Sequence, residues 1–125
     1  MKPLAAALTV ATVAVLLTGA SSEAPAMTVS DLAQLCSGTD HVSRNACRIY
    51  ILGVTQGISV GLRMGGGAAR AGRPCVPSGI SAEELEATVK QRLAAPEAAT
   101  DSRDASGFIG EVLITRYPCR KGREP

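Results

Sequence analysis

Apolar positions follow two rhythms along this chain. From Leu4 to Leu17 they run nearly unbroken through Ala, Val, Leu and Thr. From Ser30 onward they recur every three or four residues, the period that stacks side chains on one face of a helix. Four helical segments are predicted from it. The first, about Ser30 to Ser37, opens on Ser30 and Asp31 as cap candidates, carries Leu32, Leu35 and Cys36 on its apolar side and ends at Gly38. The second and longest runs from about Val42 to Met64, with Ala46, Cys47, Tyr50, Val54, Ile58 and Leu62 at helical spacing. The third begins at an S-x-x-E capping box, Ser81 and Glu84, flanked by Ile80 and Leu85 as a hydrophobic staple. Leu85, Val89 and Leu93 then line one side, Glu86 and Lys90 form an i,i+4 pair on another, and Pro96 closes the segment. The fourth, about Asp104 to Arg116, turns Phe108, Ile109, Val112 and Leu113 inward and stops at Tyr117-Pro118. Its β-branched residues would also suit a strand, but length and spacing favour a helix. The pattern predicts a small all-α, four-helix domain.

The unbroken N-terminal run has another meaning. Lys2 precedes it, and small-residue cleavage signals follow at Thr18-Gly19-Ala20 and at Ala24-Pro25-Ala26, the second a literal A-x-A. A membrane span needs about 20 apolar residues, and this run is shorter. In Leu17-Thr18-Gly19-Ala20, alanine stands where a lipoprotein needs cysteine. Residues 1–26 are therefore expected to be a cleaved signal peptide and 27–125 an exported, periplasmic domain with no membrane association after cleavage.

Export changes how the cysteines read. The chain has 125 residues, room for one domain. Its four cysteines, Cys36, Cys47, Cys75 and Cys119, all lie beyond the leader, and an even count in a small exported domain implies disulfides. None is in a C-x-x-C spacing, so neither a zinc knuckle nor a redox pair is indicated. Three pairings are possible. If the first two helices form a tight hairpin, Cys36 reaches Cys47. Cys75, in the small-residue loop after Gly65-Gly66-Gly67, would then tie that loop to Cys119 after the last helix. Loops of these lengths stabilise by about 3 and about 4 kcal/mol on the chain-entropy model.

Charge and side-chain chemistry mostly exclude. A net charge of +2 is too small to draw a polyanion, and Tyr50, Phe108 and Tyr117 with no Trp make no base-stacking platform, so no nucleic acid is expected. One histidine, His41, rules out a multi-histidine metal site, and no metal or cofactor is implied. Asp40 and His41 are neighbours in sequence and do not face each other as an acid–base pair, and no nucleophile motif accompanies them. Glu83, Glu84 and Glu86 suit the positive end of a helix dipole, and Arg116, Arg120, Lys121 and Arg123 a solvated terminus. No acid, base and nucleophile assemble, so the chain is not read as an enzyme.

Two features invite a partner. Gly53, Gly57 and Gly61 recur every four residues inside the second helix, where each costs about 1 kcal/mol against alanine. Such a stripe lets another backbone come close, either a helix of the same chain or a second copy across a dimer seam. A membrane dimer motif is opposed by Arg48, Arg63 and the polar Thr55, Gln56 and Ser59. The second feature is the glycine-rich loop Gly65–Gly67 among Arg63, Arg70 and Arg73. It lacks the phosphate-loop order G-x-x-x-x-G-K-[ST] and reads as an exposed, partner-contacting loop.

Taken in order, Cys36 after a short leucine-bearing helix, Cys47-x-x-Tyr50-x-x-Gly53 with Gly57, Cys75-Val76-Pro77 before a helix, and Tyr117-Pro118-Cys119 form a specific set. It resembles the Rap/Tai immunity family, small periplasmic all-α proteins associated with type VI secretion. The match runs from Asp31 to Cys119. The resemblance implies a protein that binds and inhibits a peptidoglycan-cleaving amidase effector, with homodimers known among such proteins. It carries over framework residues only: the four cysteines with Tyr50, Gly53, Gly57, Pro77, Tyr117 and Pro118. A small periplasmic chaperone of the acid-stress type is the competing expectation.

Overall fold

A computed structural model describes residues 24–65 and 72–119; most of the expected leader, Arg70, and the terminal Arg120, Lys121 and Arg123 lie outside the described residues. The first helix is capped by Thr28, not by Ser30 or Asp31. Thr28 Oγ1 accepts from the Asp31 N–H at 3.2 Å, and Asp31 Oδ2 accepts from the Thr28 N–H at 3.0 Å. The reciprocal box closes here, and α1 spans Val29–Ser37. Helix α2 spans His41–Met64 behind an Asp40 cap. Helix α3 spans Ala82–Leu93, with Ser81 Oγ accepting from the Glu84 N–H at 3.1 Å. A 3-10 turn follows at Pro96–Thr100. The last segment is helix rather than strand: α4 spans Ala105–Arg116, capped by Asp104.

The first turn of α1 carries backbone N–H groups that no helix bond can satisfy. They find carbonyls far along the chain. Val29 donates to Arg103 at 2.9 Å and Ser30 to Asp101 at 3.0 Å, while Ala105 donates back to Met27 at 2.9 Å. The start of α1 is thus sewn to the start of α4 through a single antiparallel bridge at Thr28 and Asp104. A second bridge pairs Pro74 with Pro118, and the Cys75 N–H donates to the Tyr117 carbonyl at 2.7 Å. Both disulfides fall where the helix ends meet. Cys36 joins Cys47 across the α1–α2 hairpin, and Cys75 joins Cys119 beside the second bridge, with Cα separations of 5.1 and 4.9 Å.

All four helices contribute to one core. Leu32, Ile51, Ile109 and Leu113 are its largest fully enclosed side chains, joined by Val29, Val89 and the half-cystine Cys47. The predicted inner faces of α3 and α4 are the buried ones. Helix α2 is turned about its axis from the expected orientation. It buries Cys47, Ile51 and Thr55, leaving Ala46, Tyr50, Val54, Ile58 and Leu62 only partly covered. The bond from Cys47 to Cys36 fixes this rotation, and Ile51 and Thr55 follow Cys47 at successive i+4 steps. Thr55 pays no unsatisfied hydroxyl, because its Oγ1 donates to the Ile51 carbonyl at 2.8 Å.

The same rotation overturns the expectation that a helix of this chain packs on the glycine stripe. Gly53, Gly57 and Gly61 are exposed, and a Cβ built on any of them would meet nothing within 4 Å. They lie on the side of α2 away from the core.

Three helices carry, at the cap or in the capping box, an aspartate whose carboxyl sits below the usual carboxylate range. Hydrogen bonds from Thr28 hold Asp31 down; those from Ser43 do so for Asp40, and those from the Ser106 hydroxyl and Gly107 N–H for Asp104. A carboxyl lowered in the folded state contributes stability that is present above its unfolded value of about 3.9 and lost as pH falls through the folded value. Thermal unfolding should therefore be flat from about pH 7 to about pH 5 and turn downward below about pH 4. A midpoint unchanged down to about pH 2.5 would show that these caps contribute nothing.

Candidate functional site

Helix α2 delivers its C-terminal end to the surface, and the expected partner loop starts there. Gly65 caps the helix, its N–H donating to the Gly61 carbonyl at 2.9 Å. The chain is described again from Gly72, which has a φ of +81°, a left-handed conformation that glycine adopts without strain. Of the three arginines assigned to this loop, Arg73 folds back. Its Nη2 donates to the Leu62 carbonyl at 2.8 Å, satisfying one of the last free carbonyls of α2 and complementing the negative helix end. Arg63 points to solvent, with only a 3.4 Å bond from its Nε to the Ser59 carbonyl. Arg70 falls outside the described residues.

Beside Arg63 an open groove of about 470 Å³ runs between α2 and the segment leading into α3. Thr55, Ser59 and Arg63 form one wall, and Val76, Pro77 and Ser78 the other, with Leu85 at its base. Its lining combines apolar side chains with the hydroxyls of Thr55, Ser59 and Ser78 and the Arg63 guanidinium. Asp40 is spent as the α2 cap, accepting from the Ser43 N–H at 2.9 Å, and the His41 ring pairs with Arg44 at 3.1 Å. Among the described residues no three His, Cys, Asp or Glu side chains converge to hold a metal ion.

The other basic side chains are mostly engaged. Arg48 binds Glu83 at 2.5 Å and lies 3.9 Å from Glu86, which also faces Lys90 at 3.8 Å. Arg103 holds Asp101 at 2.8 Å and Glu111 at 3.1 Å. Arg116 lies over the Tyr117 ring, 5.7 Å from its centre. Arg63, like Arg44, Arg73, Arg92 and Arg116, has no carboxylate partner among the described residues; what sets it apart is its place on the wall of the groove.

Of the residues expected as framework, the four cysteines form the two disulfides. Tyr50 and Tyr117 pack against the core. Burial and the charge of Asp104 raise the Tyr50 hydroxyl above its ordinary pKa. The Tyr117 hydroxyl is buried with no hydrogen-bond partner among the described residues. Pro77 and Pro118 are exposed, Pro77 accepting from the Ile80 N–H at 3.2 Å in the turn before α3.

This scaffold, from the Thr28 cap to the Cys119 half-cystine, coincides with a known family. The model of the Rap1a immunity proteins matches residues 28–119. The chain belongs to the Rap1a immunity family. No curated protein and no solved structure matches it. A Rap1a protein is an immunity protein against a secreted effector, and the family is generally non-enzymatic. Membership thus implies that this domain of disulfide-braced helices, with its open groove, binds a partner effector. What the sequence reading missed is the second face of α2: Val42, Ile49, Val60 and Met64 are exposed. Their separations of seven, eleven and four residues, each a sum of helical steps of three and four, were the signal, masked by an equally apolar set on the opposite side.

Proposed function

We propose that this Rap1a protein is exported to the periplasm through a cleaved leader, residues 1–26, and there binds and inhibits a peptidoglycan-cleaving amidase effector. The observation that carries the docking site is Arg63, whose exposed side chain lines the groove at the end of the helix that leads into the glycine-rich loop. Inhibitors of this kind succeed by presenting a rigid body, which limits the ordering entropy lost on binding. The two disulfides and the sewn helix starts provide that rigidity. Arg63 and Arg70 would meet an acidic rim on the effector, steering approach and holding orientation.

Titration of the purified domain against its cognate effector, with peptidoglycan hydrolysis as a second readout, tests this. The double variant Arg63→Glu, Arg70→Glu should bind at least tenfold more weakly, about 1.4 kcal/mol. Arg73→Glu should chiefly lower the melting temperature, because that side chain closes the end of α2. Unchanged affinity in the double variant would remove the loop from the interface. Undiminished hydrolysis at saturating immunity protein would end the amidase reading.

A further inference from the structure

The two disulfides differ in how far solvent reaches them. Cys36 and Cys47 are 8% and 1% exposed, belong to the core and join two helices. Cys75 is half-buried and Cys119 exposed, and both lie outside the helices. Cys75 stands in the stretch before α3, and Cys119 comes three residues after Arg116, the last of α4. Thiol–disulfide exchange requires an incoming thiolate to reach one of the two sulfurs, so access ranks the bonds by how fast they can be cut.

The accessible bond anchors one wall of the groove. Val76, Pro77 and Ser78 form that wall and follow Cys75 directly. The opposite wall belongs to α2, which its own ladder of backbone bonds holds in shape. The stretch from Gly72 to Ile80 is neither helix nor strand and has no such ladder. The Arg73 guanidinium ties its start to the Leu62 carbonyl, and the Cys75 N–H donates to the Tyr117 carbonyl at 2.7 Å. Further on, the Ile80 N–H bonds locally, to the Pro77 carbonyl at 3.2 Å. Val76 and Ile80 pack against the core, whereas Pro77 and Ser78 stand in solvent.

Cutting this bond frees the wall and leaves the helices joined. The ties from Val29 to Arg103, Ser30 to Asp101 and Ala105 to Met27 lie on other stretches, and Cys36–Cys47 still fastens α1 to α2. A segment with few buried contacts and few backbone bonds opens locally, at a free energy well below that of global unfolding. A docking surface formed only part of the time binds more weakly in proportion to the fraction formed.

We infer that Cys75–Cys119 is a reducible latch on the groove: a dithiol reductant opens it and weakens the hold on the effector, and reoxidation restores it. One thiolate of the dithiol attacks the Cys119 sulfur, and Cys75 leaves as a thiolate that takes up a proton. The second thiol of the reductant then displaces Cys119 from the mixed disulfide. The protein gains two electrons and two protons, and the reductant ends as its own disulfide. The effector's part in this scheme rests on the docking site proposed for the groove. The latch itself rests on the exposure and position of the two half-cystines.

Graded reduction of the native protein tests it. Dithiothreitol at about 25 °C, followed by alkylation and peptide mapping, should label Cys75 and Cys119 about tenfold faster than Cys36 and Cys47. Once only that bond is cut, hydrogen exchange at the Cys75 and Ile80 amides should quicken about tenfold, with the Val29 and Ala105 amides unchanged. Affinity for the amidase should fall about tenfold and return on reoxidation. The double variant Cys75→Ser, Cys119→Ser should bind as weakly as the selectively reduced protein and ignore the reductant. Should that variant not fold, selective reduction of the native chain carries the test alone. Equal labelling of all four cysteines, or unchanged exchange at Cys75 and Ile80, would overturn the latch whatever the protein binds. Binding that survives reduction but not the Arg63→Glu, Arg70→Glu substitutions would overturn the latch and keep the docking site. Binding that survives both would remove the groove from the interface, and the latch's hold on the effector with it.

Discussion

Reduction of both disulfides is expected to leave the domain largely unfolded at 37 °C. Cys36–Cys47 closes a separation of 11 residues and Cys75–Cys119 one of 44. In the chain-entropy account such loops stabilise by about 3 and about 4 kcal/mol. A domain of this size has about 5–15 kcal/mol in total, so their loss removes half or more of it. Far-UV circular dichroism with and without a phosphine reductant reads the outcome. Replacing Cys75 and Cys119 with serine should cost more than replacing Cys36 and Cys47, because the longer loop regains more freedom. Retention of helicity and melting temperature under full reduction would show that packing alone holds the fold.

The second large effect is expected from Ile109→Ala in α4. Ile109 is fully enclosed, among core residues contributed by all four helices. Deleting a buried side chain loses its transfer energy and leaves a cavity, costing about 2–5 kcal/mol. Ile114→Ala on the same helix is the control. That side chain is only partly covered, and its loss should cost less than half as much. Urea unfolding should show a lowered midpoint at unchanged slope for Ile109→Ala. Equal effects at both positions would mean that α4 is not packed along the Phe108, Ile109, Val112 and Leu113 face.

Where structure follows from neighbours in sequence, it was legible. Ser81 announces α3 because its hydroxyl needs only the N–H of Glu84, three residues on. Leu85, Val89 and Leu93 announce the inner face because the opposite side is charged. The disulfide pairs followed from where helix ends must meet. Helix α2 resisted because it is apolar on two sides: Ile49 and Ile51 are equally hydrophobic, yet one faces solvent and the other the core. Periodicity reports that a stripe exists, and only the Cys36–Cys47 bond selects which stripe turns inward. The cap of α1 moved to Thr28 because its helix start is also tied to Asp101 and Arg103, some 70 residues away. At the candidate site, Arg63, Arg70 and Arg73 read alike as loop cations. Their division of labour depends on a bond from Arg73 to a carbonyl eleven residues back, which spacing alone does not reveal.

The Cys75–Cys119 bond also decides which stretches of the chain are neighbours. Arg73 stands two residues before one half-cystine, and Arg120, Lys121 and Arg123 begin immediately after the other. With the two Cα atoms 4.9 Å apart, stretches separated by more than 40 residues of chain are tethered at one point. Each raises the effective concentration of the other before any partner arrives. Oxidation thus keeps the segment leading into α3 beside the segment leaving α4, so the redox state of the compartment sets which parts of the chain are neighbours as well as how stable the molecule is.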